Sequence, residues 1–249
     1  MKYPVLLPNI FDYPFTYESS LKLQIGDYVN VPFGKKTITG VIWDKFENNN
    51  NKSFKIKSIV KKLNIEPLKK NTIDFLNWFS EYNLTPLGMA LKLHLLSGNG
   101  VERKNKSEYE IYQNKFTTEK FNLSNEQEKV FKNIIKNDSF FRVHLLQGTT
   151  GSGKTIVYFK AIEKIISRGL QTLILLPEIG LTGEFEKKFK NFFGFEAAIW
   201  HSKITPKKKK VIWSGLSNGN IKVIIGARSA LFLPFQKLGL IIVDEEHDQ

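Results

Sequence analysis

The sequence predicts an α/β protein in two parts, a small β-rich module with helices followed by a parallel α/β module. Three observations predict this. Up to Lys62, short runs rich in β-branched and aromatic residues are separated by turn residues. From Leu123 onward, apolar runs alternate with helical patterns, which is the rhythm of βαβ units. A glycine-rich octapeptide, Gly148 to Thr155, stands between one such run and one such helix.

In the first part the expected strands are Tyr3 to Leu7, Tyr28 to Phe33, Thr37 to Phe46 and Phe54 to Lys61, forming a twisted antiparallel sheet or partial barrel. Two helices follow. Thr72 to Tyr82 repeats apolar residues at Ile73, Phe75, Leu76 and Phe79, and Pro86 to Leu96 opens with Thr85 as N-cap and Pro86 at its first position. The first unit closes near Ser97. Gly98 to Asn122 is polar and patternless apart from a short β-like run at Tyr109 to Tyr112, and reads as a linker. Beyond it the expected strands are Val143 to Leu146, Thr172 to Leu176, Ala197 to Trp200, Lys222 to Ile225 and Leu240 to Val243, in a parallel sheet covered on both faces. The domain reading is therefore 1–97, linker 98–122, and 123–249.

Composition narrows the class. The 249 residues carry 37 Lys and Arg against 24 Asp and Glu, a formal charge of +13. A surplus of this size suits a polyanionic partner, because neutralised phosphates release counterions. Runs such as Asn48 to Lys52 and Lys207 to Lys210 are equally compatible with coding bias or plain solvation. The absence of cysteine excludes disulfides, thiolate zinc sites and cysteine nucleophiles from this stretch and fits a reducing compartment. The N-terminus leads into no apolar signal segment and no run is long enough to span a bilayer, so a soluble cytoplasmic protein without membrane partners is expected.

The octapeptide Gly148-Thr149-Thr150-Gly151-Ser152-Gly153-Lys154-Thr155 fits G-x-x-x-x-G-K-[ST], after a run, Val143 to Gln147, that reads as a buried strand and before a helix, Lys154 to Ser167, ended by Gly169. Glycines let backbone N–H groups curl round phosphates, and the following helix adds its dipole. Lys154 is expected on the β/γ-phosphates of a bound nucleotide and the Thr155 hydroxyl on Mg²⁺. Asp244-Glu245-Glu246-His247 follows the last apolar run and should emerge at the carboxyl edge of the sheet, where α/β proteins bind ligands. There Asp244 is expected to hold the metal through water and Glu245 to orient or deprotonate the attacking water.

The phosphate loop, Leu176-Pro177-Glu178-Ile179-Gly180-Leu181-Thr182, His201-Ser202, Ile225 to Phe232 and Asp244 to Asp248, in that order, resemble the first motor lobe of the PriA family of replication-restart helicases, members of superfamily 2. Phe11-Asp12-Tyr13 and Val31-Pro32-Phe33-Gly34-Lys35 resemble that family's 3′-DNA-end-binding domain. The resemblance implies a P-loop RecA-like parallel α/β lobe behind a DNA-end-binding domain, and an ATP-dependent 3′-to-5′ DNA helicase that reopens stalled forks for primosome assembly. It implies a terminal-nucleotide pocket of Phe11, Asp12, Tyr13, Gly34 and Lys57, and a contact of Gly226 to Ser229, Arg228 among them, with the tracked strand. Arg228 either grips a phosphate or braces its own motif, and Thr182 is placed as cap of a helix pointing at phosphate. His247 is implied to couple ATP to DNA, His201 rests on resemblance only, and His94 and His144 read as structural. DNA forks, 3′ ends and single strands, single-strand binding protein and primosome components are the implied partners.

Gln127 carries two readings: an adenine contact, as in related helicases, and the last residue of a capping box, Ser124-x-x-Gln127, that starts a helix Asn125 to Lys136. The match departs from the family at three places. The linker is too short for a winged-helix domain, Ala227 replaces a usual hydroxyl residue, and the sequence stops after Asp248-Gln249, before the second lobe, its arginine finger and the zinc-binding insertion. Such motors hydrolyse ATP between two lobes, so these 249 residues are expected to bind nucleotide weakly, hydrolyse it poorly and not translocate. Zinc belongs to the complete family, with no ligands here. Two rivals stand beside this reading: a non-catalytic fork-binding module with a vestigial motor half, and a P-loop enzyme acting on small molecules with no dependence on a DNA 3′ end.

Overall fold

The computed structural model describes residues 1–44, 56–96, 112, 122–136, 141–149, 151–177 and 183–244. They fall into two compact units that do not follow chain order. Unit 1 comprises 1–106, 203–218 and 232–236, and unit 2 comprises 107–202, 219–231 and 237–249.

Unit 1 holds a six-stranded sheet: β1 (Lys2–Leu6), β2 (Phe15–Glu18), β3 (Tyr28–Phe33), β4 (Lys36–Ile42), β5 (Lys57–Ser58) and β6 (Lys61–Lys62), in the order β5-β2-β1-β4-β3-β6. All pairs are antiparallel except β2 with β5. The two edge strands are neighbours in the chain, so residues 57–62 stitch both edges together: Ile59 N–H donates to Glu18 O at 2.8 Å and Val60 N–H to Asn30 O at 2.8 Å. The sheet therefore curls into a partial barrel. Alternation fills its interior with Val5, Leu7, Tyr17, Val29, Val31, Ile42 and Ile59. Tyr17 O–H crosses that interior to Pro32 O at 3.1 Å. The buried Asp27 anchors the stitch, its Oδ2 accepting from Lys62 Nζ at 2.7 Å and from Gln24 N–H at 2.9 Å.

Tyr28 to Phe33 appears with its expected ends, and the first and third expected strands appear with shifted ends. The described part of Phe54 to Lys61 forms two short strands, β5 and β6, at opposite edges instead of one; residues 45–55 lie outside the described residues. β2 is the strand not anticipated, although Phe15-Thr16-Tyr17-Glu18 alternates with period two.

Helices α1 (Lys70–Tyr82), α2 (Leu87–His94) and α6 (Pro206–Ser217) complete the unit. Thr85 is not the cap of α2. Pro86 occupies the N-cap, the Thr85 hydroxyl donates to Asn83 O at 3.3 Å, and the carboxylate of Asp12 accepts from Leu87 N–H at 2.7 Å. A distant side chain supplies what the local one was expected to give, because α2 starts where the loop of residues 9–13 docks. Around Tyr28 of β3 the helices meet: His94 of α2 stacks on it, Trp213 of α6 packs edge-on, and the Trp213 indole N–H donates to His94 O at 2.9 Å.

His94 is fully buried between two partners, Tyr28 Oη at 2.8 Å from Nε2 and Phe232 O at 2.7 Å from Nδ1. A neutral ring satisfies both, Nδ1–H donating to the carbonyl and Nε2 accepting from the phenol. Desolvation lowers the His94 pKa from 6.5 to about 4, the bond to Phe232 O opposing it. Below pH 6.5 the unfolded chain takes up a proton that the folded core refuses. Stability should fall from pH 6.5 to about 4, by about 3 kcal/mol at the end of that window, and no further below it on this residue's account. Thermal melts of wild type and His94→Gln across pH 4–7 check this; parallel curves would sink it.

Unit 2 is built on a four-stranded parallel sheet, β7 (Gln171–Leu175), β8 (Ala198–Trp200), β9 (Val223–Gly226) and β10 (Leu238–Val243), in the order β10-β7-β9-β8. Helices α3 (Asn125–Ile134), α4 (Lys154–Ser167) and α5 (Gly183–Phe193) accompany it. On α4 the residues Val157, Tyr158, Ala161, Ile162, Ile165 and Ile166 form one apolar stripe of helical period. Phe189, Phe192 and Phe193 of α5 close with Phe159 and Phe195 into an aromatic core, ring centroids 4.4–5.8 Å apart.

The run Val143 to Gln147 is not a strand. It carries no ladder, Val143 and Leu145 are 82% and 84% exposed, and β10 ends the sheet with Ile241 and Val243 exposed. Apolar alternation states a need for burial but does not name a partner, and a strand exists only where one pairs with it. Of the expected run Tyr109 to Tyr112 only Tyr112 is described; it is buried and lies in a 3₁₀ turn. No helix among the described residues is long and apolar enough to cross a membrane.

Candidate phosphate loop and DNA-end pocket

The carboxyl edge of the parallel sheet collects the motif residues of unit 2. Val243, Leu175, Gly226 and Trp200 stand in one row across β10, β7, β9 and β8. The residues that follow each strand, Asp244, Leu176, Ala227 and His201, therefore share one edge. Asp244 N–H extends the ladder to Leu175 O at 3.1 Å, and Ala227 N–H donates to Trp200 O at 3.1 Å. Arg228 opens a 3₁₀ turn (Arg228–Phe232), exposed, its guanidinium unbonded among the described residues; the internal brace, one of its two expected roles, is not observed.

The phosphate loop heads α4. Gly151 and Gly153 are left-handed, φ +82° and +81°, and Gly153 is the N-cap without a side-chain cap bond. A Cβ on Gly153 would sit 2.5 Å from Gln127 Nε2. The Lys154 ammonium folds back over the loop, donating to Gly148 O at 2.5 Å and Thr149 O at 3.3 Å. Ser152 N–H donates to Thr149 O at 3.1 Å, closing the turn, and Thr155 is the second residue of α4. Thr150, Glu178 to Thr182, Glu245, Glu246, His247 and Asp248 lie outside the described residues.

Tyr158, one turn beyond Lys154 on α4, donates its hydroxyl to Asp244 Oδ2 at 2.7 Å. This bond brings the loop helix and the acidic strand end together, and sequence reasoning missed it because its two partners lie 86 residues apart. Gln127 is compatible with both of its expected roles. Its Oε1 accepts from Ser124 N–H at 3.0 Å and its N–H donates to Ser124 Oγ at 3.3 Å, a complete capping box, while Nε2 donates to Ser152 O at 3.2 Å. One Nε2 hydrogen is left for a base.

In unit 1 the loop between β1 and β2 presents Phe11 and Tyr13. Their rings join Phe15 of β2, and Phe15 meets Phe33 of β3, with centroids 5.2–5.6 Å apart. Phe33 leads into Gly34, φ +60°, whose surroundings are open, in the two-residue turn to β4. Lys57 lies exposed on β5 opposite Tyr17, two positions along β2 from Phe15. Phe11, Tyr13 and Gly34 are thus brought to one end of the barrel through Phe15, which the sequence reading did not place in the site, and Phe33, which it quoted only within a motif.

The loop is held from α2. Gly88 N–H donates to Phe11 O at 3.0 Å, Leu87 N–H to Asp12 Oδ1, and Phe11 N–H to Asn9 Oδ1 at 2.9 Å. A Cβ on Gly88 would lie 2.6–2.7 Å from Asn9 O, Leu7 O and Phe11 O, so the approach requires glycine. Asp12 therefore positions the loop as well as facing solvent.

A parallel sheet with a phosphate loop at one helix and an acidic residue at its carboxyl edge defines a P-loop α/β protein, and its other unit is a curled β module. The family model for DEAD/DEAH box helicases matches residues 124–249, and the chain belongs to that family. Within it the likeness is to PriA: the model of the 3′DNA-binding domain (3′BD) matches residues 4–95. Replication restart protein PriA of Rickettsia prowazekii is 40% identical over 248 residues, and that of Rickettsia conorii 38% over 246, each alignment covering 98% of this chain. The PriA of Haemophilus influenzae is 29% identical over 319 aligned residues. The chain spans 37% of the length of the Rickettsia relatives.

Proposed function

We propose that this chain carries the DNA-end-recognition and first ATPase parts of a 3′-to-5′ replication-restart helicase, dividing at 1–97 and 123–249 in sequence. ATP is the substrate, and DNA forks, 3′ ends and single strands are the nucleic-acid ligands. The observation that carries the reading is the Tyr158–Asp244 bond, which brings the strand-end carboxylate to the helix that bears Lys154. A phosphate loop in an unrelated turn would have no such partner.

The donor set fits a magnesium nucleotide. Left-handed glycines form the loop, an ammonium sits over it, and an uncapped helix start follows. Mg²⁺ would be held by the Thr155 hydroxyl and, through water, by Asp244, where it would neutralise developing phosphate charge. Lys154 exchanges its carbonyl partners for β/γ-phosphate oxygens. Tyr158 orients Asp244, Gln127 reaches adenine with its remaining N–H, and Glu245 orients the attacking water. Arg228, exposed at the sheet edge, grips a phosphate of the tracked strand. By this reading transition-state charge is met from a second lobe.

In the end pocket Phe11 and Tyr13 stack on the terminal base, Lys57 pairs with its phosphate, Gly34 admits the backbone, and Asp12 accepts from the sugar hydroxyl while still docked on α2. Blocking the 3′-hydroxyl of a primed fork with phosphate should weaken binding of the full chain about tenfold, roughly 1.4 kcal/mol, by fluorescence anisotropy. Equal affinity for both ends would remove the end-recognition reading and favour a P-loop enzyme indifferent to DNA ends. Single-strand binding protein and primosome components remain the partners we propose for the complete protein.

A further inference from the structure

The charge of this protein is divided unequally between its two units. Unit 1 contains 21 Lys and Arg against 9 Asp and Glu, 21 − 9 = +12, whereas unit 2 contains 16 against 15, 16 − 15 = +1. The densest part of that surplus does not come from the N-terminal hundred residues. It is the first turn of α6, Lys207-Lys208-Lys209-Lys210, which belongs to unit 1 although its sequence lies within the helicase match.

Three features separate this cluster from ordinary solvated lysine. Successive helical residues turn by about 100°, so Lys207 and Lys210 lie about 60° apart on one side of the helix start with Lys208 adjoining them, Lys207 and Lys208 exposed and Lys210 half-buried. The helix supplies no counter-charge: it has no Asp or Glu, and the lysines crowd the end where the dipole already disfavours cations. Two lysines elsewhere in the unit have acidic partners, Lys62 with Asp27 and Lys70 with Asp74, but Lys207, Lys208 and Lys210, like several other lysines of the unit, have none among the described residues. The cluster is also rigidly presented. Val211 to Ser217 are all buried, the Trp213 indole N–H is bonded to His94 O, and the Thr205 hydroxyl caps the helix at Lys208 N–H.

We infer that Lys207, Lys208 and Lys210 form a second DNA-binding surface, for the phosphodiester backbone of duplex, separate from the end pocket. The fragment Lys203-Ile204-Thr205-Pro206 before the cluster and Val211-Ile212 after it offer no aromatic ring for a base to stack on. The surface thus suits charge neutralisation without base readout, as backbone binding requires. It rests on DNA being the partner of unit 1 but not on recognition of a 3′ end.

The test uses the full chain and a closed dumbbell duplex, which has no 3′ end. The Lys207→Gln/Lys208→Gln/Lys210→Gln variant should bind it more weakly and lower the slope of log affinity against log salt by about 2–3, near 0.9 for each phosphate no longer neutralised. The matching triple arginine variant should keep the wild-type slope, and preference for a free 3′-hydroxyl on forks should be unchanged in both. Single glutamine variants, each lowering the slope by about 0.9, give the same answer if the triple melts at lower temperature. An unchanged slope would overturn the inference. So would a loss of binding confined to polyglutamate, which would assign the lysines to an acidic protein, or to single-stranded DNA with the dumbbell unaffected.

Discussion

Replacing Lys154 with alanine should weaken ATP binding by the full chain about 100-fold or more, near 3 kcal/mol, and leave 3′-end binding unaltered. The ammonium is the loop's own cation, bonded to Gly148 O and Thr149 O. Bonds from it to phosphate oxygens would be charge-assisted and about twice as strong as neutral ones. The two carbonyls it leaves are exposed to water, so the fold loses little. Lys154→Arg should not rescue, since the forked guanidinium is larger than the ammonium the loop curls around. Isothermal titration with ATP and anisotropy with a primed fork read the two effects separately. Near-normal ATP affinity, or a parallel loss of fork binding, would mean that the loop is not a separable nucleotide site.

Gly88→Ala should abolish discrimination between free and blocked 3′ ends and lower stability by about 2 kcal/mol, within the usual range of a misfit substitution. The added Cβ would meet three backbone oxygens, those of Asn9, Leu7 and Phe11, and backbone has no rotamer to yield. The loop must move, taking with it the Gly88–Phe11 and Leu87–Asp12 bonds and the rings of Phe11 and Tyr13. Asp12→Ala is the weaker and more ambiguous experiment. It removes a proposed sugar partner together with the acceptor at the start of α2, an interaction that itself contributes about 1 kcal/mol. Comparing the two separates positioning from direct recognition: wild-type end preference in Gly88→Ala would show that the loop's placement by α2 is irrelevant to recognition.

Local pattern made much of this legible. The helix Lys154 to Ser167 and its Gly169 stop, the strand Tyr28 to Phe33, the capping box at Ser124 and Gln127, and the parallel strands β7 to β10 follow from periodicity, caps and turn residues acting over a few positions. β2 escaped although Phe15-Thr16-Tyr17-Glu18 alternates cleanly, because four residues after Pro14 are too few to outweigh a turn signal. The first turn of α2 escaped because its acceptor, Asp12, lies 75 residues away. Of the candidate site, the loop residues and Asp244 were readable from motif spacing. Tyr158, Phe15 and Gly88 were not, since each matters through a partner remote in the chain.

Short stretches of the chain were enough to specify the two kinds of structure, the phosphate loop and the basic surplus, because backbone torsion preferences, side-chain periodicity and charge are local properties. Which stretches keep company was settled by folding in three dimensions. Packing drew α6 and Phe232 into the N-terminal unit around His94, and with them the four lysines; it left Val143 to Gln147 without a ladder; and it gave Asp244 its tyrosine. These outcomes depend on shape complementarity and hydrogen-bond closure between surfaces far apart in the chain. A local pattern can state that a side chain must be buried or bonded, but the partner is selected by everything else that packs at the same time.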